Sequence, residues 1–373
     1  MRASRCPVCS GPHCLRLPDP GRTSMRSDGW IVAEPLRKYS CLSCGTVFRD
    51  RRRTYARAVD ADAYSLNAKA DSSFDQSRQQ SYAAIITAAV HAPPACVIDI
   101  GCGNGALLAQ LREAWPDARA VGIEPAALPR AAAAARGIDV RSGLDHAPTA
   151  DLVVSVNVIE HTPDPAGFLA SVARALAPGA HCVIIWPAGE PPSTELLFND
   201  HLFTLSRQVV ADLAAAQGLE VQAELQAPAG FQGLHLRQRG RARRGGIPMR
   251  ATGRAFLPLA RRRAAYLHRW ASLERELLAQ IDSRRDLVAF GLGESAQTLR
   301  AYAPRAWHQV RELTADDVQG QRALQLPVRP VSTLDPARHQ LLLATHPRVQ
   351  GRLAERFVAA GFTCLRWDDW IQN

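Results

Sequence analysis

Lysine is nearly missing from this sequence: Lys38 and Lys69 are the only two, and arginine supplies the rest of the 45 basic residues. Such an arginine- and alanine-rich composition follows from GC-rich coding, so the formal charge of +10 does not by itself identify a polyanionic partner. No run reaches the roughly 18 apolar residues of a membrane span, and no apolar stretch near the start reads as a secretory h-region. Nine cysteines in 373 residues do not make a disulfide scaffold, and 25 glycines with 25 prolines are too few for a collagen-like or low-complexity chain. The expectation is a cytoplasmic, thiol-reducing context. The length, at 47% apolar and 21% charged residues, leads us to expect two or three globular domains.

The basic excess is local. Ten arginines and no acid lie between Arg237 and Arg263, and Arg49, Arg51, Arg52 and Arg53 form a second cluster. Either could hold phosphates, but a charge run is more often a solvated loop. Composition and period separate four segments: a cysteine- and turn-rich module (residues 1–55), a region alternating β-branched runs with alanine-rich helical stretches (75–235), an arginine-rich linker with a connecting helix (236–285), and a final segment (286–373) opening on the strand-like run Leu287-Val288-Ala289-Phe290. In the connecting helix, Tyr266, Leu267, Trp270, Leu273, Leu277, Leu278 and Ile281 mark one apolar face, expected to dock the last segment on the central one.

Cys6-Pro-Val-Cys9 and Cys41-Leu-Ser-Cys44 are two Cys-x-x-Cys pairs, a spacing that lets tight turns aim thiolates at one tetrahedral ion. Four thiolates close the coordination shell, so the site expected of Cys6, Cys9, Cys41 and Cys44 is a structural zinc ribbon. His13 and Cys14 lie close enough to substitute, and a redox Cys-x-x-Cys pair is the alternative.

The run Cys96-Val97-Ile98-Asp99-Ile100 reads as a buried strand ending in Gly101-Cys102-Gly103-Asn104-Gly105, after which a helix begins. Glycines let backbone approach a ligand closely. The next strand, Ala120-Val121-Gly122-Ile123, ends in Glu124, whose carboxylate could accept from both hydroxyls of a ribose. Such a loop alone fits NAD or FAD as well. Asp99 ahead of the first glycine takes the room of a pyrophosphate and favours a nucleoside with an amino-acid-like tail.

With these motifs the sequence resembles the class I S-adenosylmethionine-dependent methyltransferases. Residues 151–161, ending Val158-Ile159-Glu160-His161, are similar to their fourth strand, and Leu176-Ala177-Pro178-Gly179-Ala180 with the run 181–185 to their fifth strand and its preceding turn. The resemblance implies S-adenosyl-L-methionine as cofactor, with Asp99, Gly101, Gly103 and Gly105 cradling its methionine side and Glu124 anchoring its ribose. It further implies Asp145 as the adenine-amine acceptor and Asn157 as a lining residue of the methionine portion. The fold class expected is α/β: an N-terminal zinc ribbon, a central Rossmann-like methyltransferase domain and a second, C-terminal Rossmann-like α/β domain.

Methyl transfer from a sulfonium needs an aligned nucleophile and a base to take its proton. After the fifth strand, the segment 195–206 would lie over the methyl group, and it contains Asp200 and His201. His201 is the candidate base and Asp200 a neighbour that tunes it or meets substrate; Glu160 and His161 are alternatives. The three-part architecture resembles sugar C-methyltransferases acting on nucleotide-linked keto-deoxysugars. Their Tyr-His-Glu-His and Tyr-Phe-Ser signatures are met here by Phe198-Asn199-Asp200-His201 and Thr204-Leu205-Ser206. Only the last histidine and the serine are kept, so O- or N-methylation fits the thinner set better.

Gly291-Leu292-Gly293-Glu294-Ser295-Ala296 formally satisfies Gly-x-Gly-x-x-Ala, and together with Asp316-Asp317 and Gly320 it resembles accessory domains that hold a nucleotide or simply close a turn. The functional expectation is a methyltransferase acting on a small molecule, such as a nucleotide-linked sugar or a biosynthetic intermediate. The rivals are an RNA methyltransferase and a non-catalytic zinc and Rossmann scaffold.

Overall fold

A computed structural model describes residues 5–49, 73–145, 147–240, 253–316, 318 and 322–371. The chain divides into two compact units. One comprises Met1–Arg16, Lys38–Leu196 and Asp200–Ala260; the other comprises Leu17–Arg37, Leu197–Asn199 and Arg261–Asn373.

Strands are numbered along the chain. The first unit is organised by a seven-stranded sheet of β6 (Cys96–Ile100), β7 (Arg119–Ile123), β8 (Asp139–Arg141), β9 (Ala150–Val156), β10 (Leu176–Pro187), β12 (Leu219–Leu225) and β13 (Phe231–Gln238). Their spatial order is β12-β13-β10-β9-β6-β7-β8. The run from β10 to β8 is parallel, whereas β13 is antiparallel to both its neighbours. Alternating residues of the central strands enter two separate cores: Ile98, Ile100, Val153 and Ile184 on one face, Val97, Leu152, Val154 and Val183 on the other. That explains the unbroken apolar runs, because both faces of a parallel sheet are covered. Each such side chain contributes about 1.5–3 kcal/mol on burial. The turn expected before the fifth strand is taken into β10 itself, with a register irregularity between Leu176 and His181. Chain order reverses between β6 and β9, and crevices at such switch points receive ligands.

A second sheet of the same unit pairs β1 (Cys14–Arg16), β4 (Lys38–Cys41), β5 (Val47–Arg49) and β11 (Phe203–Thr204) in the order β1-β4-β5-β11. The cysteine-bearing strands are thus extended by a strand that comes two residues after His201.

The other unit carries the sheet β16-β17-β15-β14-β18-β19, from β14 (Asp286–Phe290), β15 (Val310–Ala315), β16 (Arg322–Ala323), β17 (Leu326–Pro330), β18 (His339–Leu343) and β19 (Thr363–Leu365). All its pairings are parallel except β16 with β17. Residues 1–55 were expected to form one module, but Leu17–Arg37, with the hairpin β2 (Ser24–Met25) and β3 (Ile31–Val32), groups with this unit. Hydrogen bonds show why. Thr23 Oγ1 donates to Ala301 O at 3.0 Å, and Met25 N donates to the Tyr302 hydroxyl at 3.3 Å. The helix Leu257–Gln280 buries the apolar face expected of it, yet Trp270 packs on Trp367 and Tyr302 of its own unit, with ring centroids 5.2 and 6.0 Å apart. Of the expected linker, Arg237 lies in β13, and residues 241–252 fall outside the described residues, as do Arg51, Arg52, Arg53, Asp317 and Gly320.

Candidate active site

β6 ends in a turn whose glycines have distinct reasons to be glycine. Gly101 has φ +79°, and a Cβ there would lie 2.3 Å from Val158 Cγ2. Gly103 also has positive φ, +55°, but a Cβ there would meet nothing within 4 Å. Gly101 is therefore glycine because of packing. At Gly103 the backbone is bared toward open space, as a ligand cradle requires. Gly105, at φ +78°, leads into the helix Ala106–Ala114.

Glu124 is built into this turn. Its Oε2 accepts from Gly103 N at 3.0 Å and its Oε1 from Ala126 N at 2.8 Å. Burial raises its pKa despite these two amides. Asp99, at the end of β6, is 2% exposed; burial and then the Glu124 carboxylate push it up to about 8. Across the switch point, Asn157 follows β9 with φ +58°, and its N donates to Ile185 O at 2.9 Å. Its Oδ1 is buried and has no hydrogen-bond partner among the described residues, while its side chain stands at the buried Tyr82 hydroxyl. An unpartnered amide oxygen, an oriented carboxylate and a bared backbone fit a polar, cationic nucleoside. Asp145 stands in the exposed loop beyond β8.

Beside the cradle, the chain after β9 and the segment before β11 converge. Phe203 N donates to Glu160 O at 3.1 Å. His161 Nδ1 lies 3.1 Å from Asp200 O and 3.6 Å from Asp200 Oδ2. His201 Nδ1 is held by the Glu195 carboxylate, which also accepts from Thr204 Oγ1 at 3.2 Å. The two imidazoles meet edge to face with centroids 4.6 Å apart. Burial would lower His201, but the negative Glu195 beside it outweighs burial and brings it up to about 9. Burial and then the His201 charge lower His161 to about 4. Burial raises Glu160 to about 8. All four expected groups, Glu160, His161, Asp200 and His201, are thus neighbours.

Two partners in this cluster carry no motif. Glu195 is recognisable only from its contact with His201. Lys38, on β4, is fully buried, with Nζ 3.5 Å from Glu195 O; burial lowers it to about 8, against the raising effect of Glu195. Its one sequence signal is rarity, since a chain that otherwise uses arginine keeps lysine here. Two members of the expected signature are structural. Ser206 caps the helix Arg207–Ala216 through Val209 N, and Asn199 Nδ2 donates to Ser24 Oγ at 2.6 Å.

The sulfur atoms of Cys6, Cys9, Cys41 and Cys44 all lie within 4.8 Å of one another, with Cys6–Cys44 at 3.8 Å and Cys9–Cys41 at 3.6 Å. A tetrahedron with metal–sulfur bonds of about 2.3 Å has edges of about 3.8 Å, so the donor set fits zinc. His13 is exposed and outside this group, and Cys14 Sγ donates to Gly11 O at 3.8 Å.

Residues 74–224 match the family described as "Methyltransferase domain". Trans-aconitate 2-methyltransferase of Azoarcus sp. (strain BH72) is 36% identical over 111 residues, 28% of this chain and 44% of that relative. Ubiquinone biosynthesis O-methyltransferase of Hahella chejuensis (strain KCTC 2396) is 32% identical over 96 residues, 22% and 40% of the respective chains. The chain thus spans less than half the length of these curated relatives. Among solved structures, mitomycin 7-O-methyltransferase MmcR superposes with a TM-score of 0.39 at 23% identity, over 44% of this chain and 54% of that one. The matched segment contains every strand from β6 to β11 with both sides of the switch point. Residues 74–224, less than half of the chain, are thus similar to methyltransferase domains.

Proposed function

We propose that this chain transfers the methyl group of S-adenosylmethionine to an oxygen of a small-molecule acceptor. The observation that carries the reading is the Glu124 carboxylate, pinned by Gly103 and Ala126 amides at the mouth of the bared turn. In this reading Asp99, Gly101, Gly103, Gly105 and Asn157 hold the methionine side, Glu124 accepts from the ribose diol, and Asp145 takes the adenine amine. When bound, the cofactor supplies an electrophilic methyl carbon. The protein's task is then to hold the acceptor in line and make it anionic.

Activation of the acceptor falls to Glu160, His161, Asp200 and His201, with His201 at the centre and Glu195 as its positioning residue. Relatives named for trans-aconitate and for ubiquinone biosynthesis support a small acceptor, and the name of the second supports an oxygen. The order of parts, a cysteine module, a methyltransferase domain and a second parallel sheet read as Rossmann-like, supports a nucleotide-linked sugar as the acceptor class. Cys6, Cys9, Cys41 and Cys44 are read as a structural zinc site. The test is calorimetry of the full chain with S-adenosylhomocysteine: saturable heat that Glu124→Ala removes is expected, and absence of heat with the wild type overturns the reading.

A further inference from the structure

Glu160 is the least explained group in the first unit. The residue is 2% exposed, and beyond its own backbone amide neither Oε1 nor Oε2 finds a hydrogen-bond partner among the described residues. Protonation does not resolve this, because a neutral carboxyl group carries an O–H that also needs an acceptor, and leaving it without one costs about 1–3 kcal/mol. Something in this place should engage the carboxylate.

The two histidines beside it are arranged as ligands are. The carbonyl of Asp200 can only accept, so the proton of His161 sits on Nδ1 and its lone pair on Nε2. The Glu195 carboxylate likewise takes the Nδ1–H of His201, so that an ion arriving at Nε2 displaces the proton that this ring otherwise carries there. An imidazole whose Nδ1 is tied to a carboxylate or a backbone carbonyl is what metal sites use to fix tautomer and orientation. One ligand atom each from Glu160, His161 and His201 falls within 4.8 Å of the others. Bonds of about 2.0–2.2 Å need these atoms closer together than that limit, so the group has to tighten when the ion enters. His161 is about a quarter exposed (25%), which leaves one side of the group accessible.

We infer that Glu160, His161 and His201 bind a divalent first-row transition-metal ion, with coordination positions left for an acceptor oxygen. Two imidazoles with one carboxylate select ions such as Zn²⁺, Fe²⁺ or Co²⁺ over Mg²⁺ or Ca²⁺, which prefer oxygen throughout. The inference deepens the proposed function, since the ion is the means by which this cluster activates the acceptor. A hydroxyl bound to it loses its proton to water. The oxygen pair then forms the C–O bond as the S–CH₃ bond breaks, and that pair remains on the thioether sulfur. Three protein ligands leave the shell open, in contrast to the four thiolates of the cysteine site.

The experiment loads the metal-stripped full chain with Co²⁺ and follows its ligand-field absorption, with S-adenosylhomocysteine calorimetry on the same preparation. Two ions per chain are expected, one with thiolate-to-metal charge transfer and one without. Cys44→Ser should remove the first. Glu160→Gln and His161→Gln should each remove the second and keep the first, so retention of the thiolate signal reports that the variant is folded. Glu195→Gln, acting only through His201, should weaken the second site by about 10- to 100-fold. Mg²⁺ should not compete. A single, thiolate-bound ion in the wild type, or a second ion indifferent to Glu160→Gln and His161→Gln, overturns the inference. If S-adenosylhomocysteine still binds in that case, the proposed methyl transfer stands without the ion.

Discussion

The amide of Gly103 donates to Oε2 of Glu124 at 3.0 Å, so the turn after β6 and the acid after β7 are one piece of structure. The carboxylate therefore shapes the turn, and in the proposed reading it also presents acceptor lone pairs to a ligand. Glu124→Ala removes both roles. Hydrogen bonds to a charged group are worth about 1.5–3 kcal/mol each, so affinity for S-adenosylhomocysteine should fall by about 100-fold or more. Calorimetry measures this directly; a loss below about threefold would remove Glu124 from the binding site.

With Asp99 in the proposed binding site, ligand affinity should depend on pH, and the sign is fixed. Burial and the adjacent Glu124 push it up to about 8, so between pH 6 and 8 it is largely protonated in the free protein. A cationic ligand favours the ionised form, so binding should release a proton. Affinity should rise with pH, by up to about tenfold per unit, and flatten above about 8. Asp99→Asn should abolish the slope. The same raised pKa means that this group's contribution to folding stability falls as pH rises from about 4 toward 8, so the asparagine variant should gain on the wild type over that interval. Calorimetry in two buffers of different ionisation enthalpy counts the proton, and thermal unfolding at several pH values checks the second statement.

Gly101 and Gly103 should separate stability from binding. Alanine at Gly101 meets Val158 Cγ2 at 2.3 Å in a left-handed backbone, adding overlap of about 1–3 kcal/mol to conformational strain of about 1–2 kcal/mol. Alanine at Gly103 incurs the strain alone, because its Cβ points into open space. Gly101→Ala should lower Tm more, whereas Gly103→Ala should weaken the ligand out of proportion to its stability loss. Equal effects of both variants on both readouts would contradict the assignment of open space to the ligand.

The glycine turn and its acid were legible in the sequence because the parts are local: a β-branched run, a turn with positive φ at Gly101, Gly103 and Gly105, and an acid one strand later. The acceptor side was legible only in part. Glu160, His161, Asp200 and His201 sit where strand ends place them, but Glu195 and Lys38 acquire meaning from a loop folding back and from β4 passing behind it. No local preference encodes such contacts. The excursion of Leu17–Arg37 into the other unit was hidden for the same reason, since its ties to Ala301 and Tyr302 span some 278 residues of sequence. The apolar stripe of Leu257–Gln280 announced a buried face without naming its partners, Trp367 and Tyr302.

The cysteine site should govern the acceptor side and spare the cofactor side. Cys41 ends β4, β4 pairs with β5, and β5 pairs through Phe48 and Val47 with Phe203 and Thr204 of β11, next to His201. The cradle between β6 and β8 shares no strand with that sheet. Cys44→Ser removes one of the four thiols of the proposed zinc site, and loss of such an ion would withdraw folding free energy from the module that carries Lys38. The variant should have a lower Tm and at least tenfold lower methyl transfer to any acceptor the wild type accepts, yet bind S-adenosylhomocysteine within about twofold of the wild type, because its contacts are made elsewhere. Parallel loss of both functions would mean that the cysteine site supports the whole unit rather than the acceptor wall.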